Sequence, residues 1–319
     1  MHDLPPPPRY FPPANGRYDV AVGLRPLGTD FGNGALDQKV FQFDRNFSRY
    51  RKEKLRVRAE RLDKYYPPHA ELSDALRSAV ARYLIEKLVA EWPDFFTFAG
   101  RRLNCALTGD ELEFAPNFIL TAQRSVASPP YRDALDALAS NLQEDLAVWA
   151  REPGGAGGTR EWLAAVHLCF PNHWAAADKI GRPFNTVHAP VAGFERLYKA
   201  APGIVDGMVT KAPTVRFAWG PATDDALNHH PQNEFKGRQF DPQRPQLFLR
   251  IERQTLSPFP LESGSLFTIR TIFLDCAKDL TPTERQALIA ALDSMTPDSL
   301  RYKGLAASKS AICNWLKTI

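Results

Sequence analysis

The chain has 319 residues, of which 44% are hydrophobic and 24% charged, a composition typical of a globular protein with a substantial core. The net charge is +4 and no apolar run reaches the length of a membrane helix, so neither nucleic-acid nor membrane binding is expected. The four cysteines form no C-x-x-C pair and the N-terminus lacks the features of a signal peptide, so we expect a cytoplasmic protein without a disulfide framework.

A strongly basic helix is predicted at residues 45–64. Phe43, Phe47, Tyr50 and Val57 follow helical spacing and predict its buried stripe. The same segment contains nine Lys and Arg residues but only three acids. Two interpretations stay open: the charges form a solvated helix face, or they form a docking surface for an acidic partner protein.

A second helix is predicted at residues 71–92, because its apolar residues fall on one helical face and Pro93 ends the pattern. Residues 95–128 look irregular, with two or three short strands at most. A short helix is predicted to follow, around Leu135 and Leu138.

Five strands are predicted in the middle of the chain, where the residue pattern changes to alternation. They cover residues 142–149, 162–170, 213–220, 246–257 and 264–274. The glycine run 154–158 joins the first two strands and predicts a hairpin tip, since a phosphate loop would need a helix directly after it. Helices are predicted at 172–181 and 194–208, between the second and third strands.

This order of elements predicts an α+β fold in three parts. Residues 1–140 form an N-terminal, mostly helical region. Residues 141–276 form a PAS-like antiparallel five-stranded sheet with inserted helices. Residues 277–319 form a C-terminal helical extension, in which Thr281 and Glu284 have the spacing of a capping box.

The stretch from residue 166 to residue 190 concentrates side chains that bind metals. It contains His167, Cys169, His173, Trp174 and His188. An imidazole beside apolar residues and a proline is well placed to bind a metal or haem iron, but it also serves as a buried hydrogen-bonding group. Zinc binding by His167, Cys169 and His173 is a further alternative, although this spacing matches no standard zinc pattern.

Two charged residues interrupt the fourth predicted strand. Glu252 and Arg253 lie in an apolar run, and the period of two places Glu252 with Gln254 on one face and Arg253 with Thr255 on the other. Buried charges usually have a partner or a function. They therefore either form a salt bridge within the sheet or belong to a functional site.

Seven short motifs occur in a specific order along the chain. They are Gly23-Leu-Arg-Pro-Leu27, Gln143-Glu-Asp-Leu146, the Cys-Phe-Pro…Trp174 turn, Lys179-Ile-Gly-Arg-Pro183, Val187-His-Ala-Pro-Val191, Leu249-Arg-Ile-Glu-Arg-Gln-Thr255 and Phe267-Thr-Ile-Arg-Thr271. In these motifs the chain resembles the haem-dependent oxidative N-demethylase alpha-subunit family. The resemblance implies a PAS-like fold that holds haem b on a histidine.

The resemblance also implies an oxygen-dependent reaction. Family members remove a methyl group from a small secondary amine such as dimethylamine and release formaldehyde, acting as monooxygenase-type oxidoreductases. Their electrons come from an NADPH-dependent reductase partner with FMN and a [2Fe-2S] cluster. The alternative is a haem-binding PAS-type gas or redox sensor without turnover, and a haem-free interaction protein is a third possibility.

Site residues follow from the matching motifs. The His-Ala-Pro-Val motif makes His188 the axial ligand of the haem iron, with His173 as the alternative. Glu252 is a candidate for accepting a proton from the amine, and Arg253 for neutralising a haem propionate. Arg270 is a second propionate candidate. The side chains of Trp174 and Trp219 either line the pocket or belong to the core, and Ala218 replaces the polar residue expected before Trp219.

Overall fold

The computed structural model describes residues 3–20, 23–154, 158–234 and 238–319. The strands described are β1 (Arg25–Pro26), β2 (Phe96–Ala99), β3 (Arg102–Cys105), β4 (Asp110–Phe114), β5 (Leu120–Arg124), β6 (Glu144–Pro153), β7 (Thr159–His167), β8 (Thr214–Ala222), β9 (Phe248–Phe259) and β10 (Gly264–Asp275). The α-helices described are α1 (Phe47–Tyr65), α2 (Asp74–Glu91), α3 (Ala134–Ser140), α4 (Phe184–His188), α5 (Phe194–Thr210), α6 (Pro282–Asp293), α7 (Pro297–Tyr302) and α8 (Lys309–Thr318). Among these described helices, none is both long and apolar enough to cross a lipid bilayer.

The main sheet is antiparallel and has six strands in the order β1-β8-β9-β10-β6-β7. Its five long strands match the five predicted ones, and α5 confirms the helix predicted at 194–208 between the second and third of them. The helix predicted at 172–181 is wrong, because this segment contains only a 3₁₀ turn at Ala176–Asp178, and α4 was not predicted. The predicted count of five is wrong, because the two-residue β1 pairs Arg25 with Val215 and adds an edge strand. The α+β class is confirmed, whereas the PAS-like assignment and the three-part division stay predictions.

The strands β6 and β7 pair along their length, as the predicted hairpin requires. Part of its predicted tip, residues 155–157, lies outside the described residues. On either side of that gap, the backbone N–H of Gly154 donates to the carbonyl of Gly158 over 2.8 Å. The two strands are therefore held together as far as Gly154 and Gly158, the last described residues on each side of the gap.

A second sheet, β2-β3-β4-β5, fills the segment predicted to be irregular, so that prediction is wrong. Leu103, Leu112 and Phe114 point inward and join the apolar core with α2. On the exposed side, Arg102 pairs with Glu113. These strands are only four or five residues long, and so short an alternation is difficult to distinguish from a loop in the sequence.

Helix α1 confirms the predicted basic helix and its buried apolar stripe. However, its cations Arg51, Lys54 and Arg58 are also buried. Helix α3 packs over this side of α1 and supplies their partners, which include two carbonyl groups and the carboxylate of Asp136. Neither a solvated face nor a docking surface is therefore correct for these three residues.

The two faces of the main sheet are covered differently. Helices α4 and α5 cover the insert face, which carries Glu252 and Leu256. Residues 39–44 cover the opposite face, called here the N-terminal face, which carries Arg253 and Arg270. The predicted alternation of Glu252 and Arg253 between faces is thus confirmed.

Candidate functional site

The chain segment between β7 and β8 crosses the insert face and carries the predicted ligand. A 3₁₀ turn at Ala176–Asp178 occupies part of the predicted helix 172–181, and α4 and α5 follow. The backbone N–H of Phe184 donates to both carboxylate oxygens of Glu161, over 2.9 and 3.0 Å, and this fixes the first turn of α4 against β7. The apolar contact with the sheet is formed by Phe184, Ala201, Met208, Trp149, Leu163 and Leu256.

His188 lies at the last residue of α4 with a defined orientation. Its Nδ1 donates to the carbonyl of Phe184 over 2.8 Å, and its ring packs on the Phe184 ring with centroids 4.1 Å apart. Burial lowers the pKa of His188 to about 4, and the positive charges of Arg216 and Lys179 act in the same direction. The imidazole is therefore neutral near pH 7, and within the described residues its Nε2 makes no hydrogen bond.

A cleft of about 530 Å³ lies between α5 and the sheet. Its lining includes Ile204 of α5 and Leu256 of β9, which belong to the same apolar cluster as Phe184 and Val187 of α4. The cleft volume lies in the range of roughly 300–1,000 Å³ that is usual for cofactor and ligand sites. His188 is not among the described residues that line the cleft. However, His188 and the cleft both border this apolar cluster.

A row of polar side chains continues along the insert face. The Glu252 carboxylate accepts a hydrogen bond from Gln254 over 3.1 Å and a longer one from Asn172 over 3.5 Å. Arg216 lies opposite Gln254 in the β8–β9 register. Burial lowers the pKa of Arg216, and Glu252 opposes that shift, so the carboxylate helps to hold this buried guanidinium in its charged form.

Three of the predicted site residues lie away from His188. Arg253 donates to the carbonyls of Val40 and Lys39 over 3.2 and 2.7 Å, and Arg270 pairs with Asp44, all on the N-terminal face. Trp219 packs edge-to-face with Tyr18, in the cluster that α6 and α8 complete. The sheet therefore separates Arg253, Arg270 and Trp219 from His188 and Glu252.

Trp174 and the alternative ligand His173 lie in the loop after β7. Trp174 is half-buried against the apolar cluster under α4 and α5. His173 has a left-handed backbone (φ 66°), and its ring stacks on that of His229 at 5.4 Å. Burial, with Arg238 the strongest of the neighbouring charges, lowers the pKa of His173 to about 3, so this imidazole is also neutral.

The zinc alternative is not supported by the surroundings of His167 and Cys169. Among the described residues, their ligating atoms cluster with a carboxylate of Asp145, not with His173. The ammonium group of Lys54 lies 3.8 Å from that carboxylate, and burial raises the pKa of Cys169 well above its usual value. Since zinc binds the thiolate form, a protonated thiol beside a buried cation fits a structural hydrogen-bonded cluster.

Sequence reasoning did not identify Arg216, Asn172 or Lys303, which surround Glu252 in the structure. For Arg216 a signal existed, because it alternates with Ala218 on the strand that the motif pattern already marked. For Lys303 no local signal existed, since it follows a short C-terminal helix far along the chain.

Comparison with known proteins gives one finding. A family model described as "Haem-dependent oxidative N-demethylase, alpha subunit-like" matches residues 33–313. A search of curated proteins gives no match to the chain. The matched region contains the four-stranded sheet, the five long strands of the main sheet, the inserted helices and most of the C-terminal helices, but not β1.

Proposed function

Because the chain belongs to the haem-dependent oxidative N-demethylase, alpha subunit-like family, we propose that it holds a b-type haem on Nε2 of His188 and demethylates a small secondary methylamine such as dimethylamine. One observation carries this proposal: His188 is a neutral imidazole whose tautomer is fixed. Its Nδ1 hydrogen bonds to the Phe184 carbonyl, which leaves the Nε2 lone pair available. Metal-bound histidines in proteins commonly have such a second partner.

The residues present fit a haem in their chemistry. The ligand nitrogen borders an apolar cluster, and the cleft under α5 opens from the same cluster. The apolar surroundings suit a porphyrin ring, whereas zinc ligands of the Cys and His type are absent from the described surroundings of His188. In the conformation described, Phe184 packs on the imidazole ring, so we expect α4 to shift when a haem binds.

The reaction would use O₂, two electrons and two protons to convert the N-methyl group to formaldehyde and leave the demethylated amine and water. When bound, the haem supplies the oxygen chemistry. We assign Glu252 to accept the proton of the ammonium form, since oxidation needs the neutral amine. Gln254 and Asn172 orient this carboxylate, and Trp174 contributes to the apolar wall.

An alpha subunit-like chain belongs to a system of several components. We propose that the partner is an NADPH-dependent reductase with FMN and a [2Fe-2S] cluster. Arg45 and Lys52 are exposed and form no ion pair among the described residues, so these two cations of the basic segment remain available for such a partner. All four cysteines are buried free thiols, which supports a reducing, cytoplasmic location.

Haem binding and turnover test the proposal in sequence. The purified protein, titrated with haemin, should develop a Soret band that changes position or is lost in His188→Ala. His69→Ala is the matched control, because His69 lies in the α1–α2 connection and bonds to Tyr66. With NADPH, a suitable reductase and dimethylamine, the wild type should release formaldehyde steadily. A Soret band without turnover on any small methylamine would favour the sensor, and the absence of any haem binding would contradict both functions.

A further inference from the structure

A second, polar pocket lies at the other end of the insert face. It is formed by the loop after β7, the end of β8, the start of β9 and the residues after α7. Its lining includes His173, Arg238, Arg250, Tyr302 and Lys303. The enclosed space is about 30 Å³, which suits a small polar group rather than a whole cofactor.

Two glycines let the basic side chains approach the pocket. A Cβ atom added to Gly220 would lie 3.3 Å from Cδ and Nζ of Lys303, so the bare β8 backbone leaves room for the lysine to lie across it. A Cβ atom added to Gly304 would lie 2.2 Å from Cδ of Arg238, and Gly304 also has a positive φ of 70°. Both close approaches depend on glycine.

The pocket is rich in positive charge. Among the described residues that line it there are three cations, Arg238, Arg250 and Lys303, and no carboxylate. Arg250 is 2% exposed, and its Nε has no hydrogen-bond partner within the described chain. The Nε atom lies 3.8 Å from the nearer oxygen of Glu252, which is too long for a hydrogen bond.

Burial also lowers the pKa of Lys303 to about 8, and the carboxylate of Glu252 opposes this shift. Burial likewise lowers the pKa of Arg250 and of Arg238. Glu252, Asp145 and Asp224 act on Arg250, but no carboxylate is present among the described residues that line the pocket. Three cations that each lose solvation therefore form a site in which a further negative charge would be stabilised.

The polar pocket and His188 lie along the same face of β8. Arg216 lies near enough for its charge to act on His188, and Gly220 is four residues further along β8 on the same face. Four residues of a strand span about 13 Å. A flat ligand held at His188 and extending along β8 would therefore bring its edge to the pocket.

We propose that this pocket binds a carboxylate, and that under the proposed function this carboxylate is a propionate of the haem held by His188. Arg250 Nε, Lys303 Nζ and the guanidinium of Arg238 are the donors. Charge-assisted hydrogen bonds of this type are the usual means by which proteins hold carboxylates. The haem is thus fixed at two points, by its iron and by its acidic edge.

This assignment is tested by blocking the two haem propionates as methyl esters, with haem binding rather than activity as the measurement. Haemin and haemin dimethyl ester are titrated into the apo protein, and the dissociation constants are read from the Soret band. We expect Lys303→Met to weaken haemin binding about tenfold, which corresponds to one charge-assisted hydrogen bond. Lys303→Arg should keep most of the affinity, and Lys317→Met, an exposed lysine on α8, should keep all of it. The ester should bind the wild type more weakly and be insensitive to Lys303→Met.

Each other outcome contradicts the assignment. Equal losses for haemin and ester in Lys303→Met, with an altered circular dichroism spectrum, would indicate a structural role. Unchanged haemin affinity in Lys303→Met, combined with calorimetric binding of free propionate that this variant abolishes, would assign the pocket to a dissolved carboxylate. Haem binding that depends on His188 but not on the propionates would overturn this inference alone. The absence of haem binding in the wild type would overturn the proposed function as well.

Discussion

The two faces of the main sheet differ in how their buried charges are balanced. On the N-terminal face, Arg270 pairs with Asp44 and Arg253 donates to two backbone carbonyls. On the insert face, Glu252 is held by side-chain amides, and the cations around it outnumber the carboxylates. Arg250 on the insert face also donates to backbone carbonyls, of Phe170, Ala226 and Leu227, so the difference lies in the carboxylate partner that Arg270 has and that the described lining of the polar pocket lacks. An excess of buried cations of this kind is expected where an anionic ligand binds.

The largest effect that would test this contrast is expected for Arg270→Met. The substitution leaves the carboxylate of Asp44 buried and uncompensated, so the free energy of unfolding should fall by about 3–5 kcal/mol. Urea denaturation measures it. The double variant with Asp44→Asn should recover part of the loss, because the uncompensated charge is then removed. A loss below about 1 kcal/mol would show that this face does not depend on its ion pair.

Glu252→Gln, in contrast, should lower activity far more than stability. We expect kcat/KM for amine demethylation to fall about 100-fold, as for loss of a general base. The free energy of unfolding should fall by less than in Arg270→Met, because Glu252 is only partly buried and lies 3.8 Å from Nε of Arg250. Glu262→Gln, in the turn between β9 and β10, is the matched control. A variant that is strongly destabilised but turns over normally per folded molecule would place Glu252 among the structural charges.

The smallest effect is expected in the pH dependence of the apo protein. Folding lowers the pKa of His188 from 6.5 to about 4, so the unfolded chain binds the extra proton first as the pH falls. The contribution of neutral His188 to the free energy of unfolding is therefore complete above about pH 6.5 and is lost progressively towards pH 4. Because the ring is only half-buried, we expect about 1 kcal/mol. In His188→Leu the loss between pH 7 and pH 4 should be smaller by that amount, and equal slopes would contradict a neutral, buried imidazole.

Much of the fold could be predicted because its signals are local. The five long strands alternate over many residues, and the capping box of Thr281 and Glu284 forms at the start of α6 as its spacing indicates. The four short strands from Phe96 to Arg124 lacked such length. The sequence also does not show that three cations of α1 point into the protein, because this depends on where α3 packs.

The candidate site could be predicted only in part. The period of two placed Glu252 on a different face from Arg253, as the structure has it, whereas the role that the motif gives to His188 stays a prediction. The sequence does not indicate which of these faces receives α4 and α5. The sequence therefore does not show that the sheet separates the two propionate candidates, Arg253 and Arg270, from Glu252. Lys303 joins the polar pocket through contacts between distant segments, which no single stretch of sequence contains.

The connection from β7 to β8 has a consequence for how the site opens. These strands lie at opposite sides of the five long strands, so the connection spans four inter-strand gaps, or about 19 Å. Just before α4, two backbone hydrogen bonds hold the connection to β7: Leu163 donates to the carbonyl of Arg182 over 3.0 Å, and Gly181 donates to the carbonyl of Leu163 over 2.8 Å. A movement of the segment around Arg182 breaks these two hydrogen bonds but none of the pairings between the strands of the main sheet. Because His188 is the last residue of α4, any movement of α4 that admits a ligand also moves its imidazole.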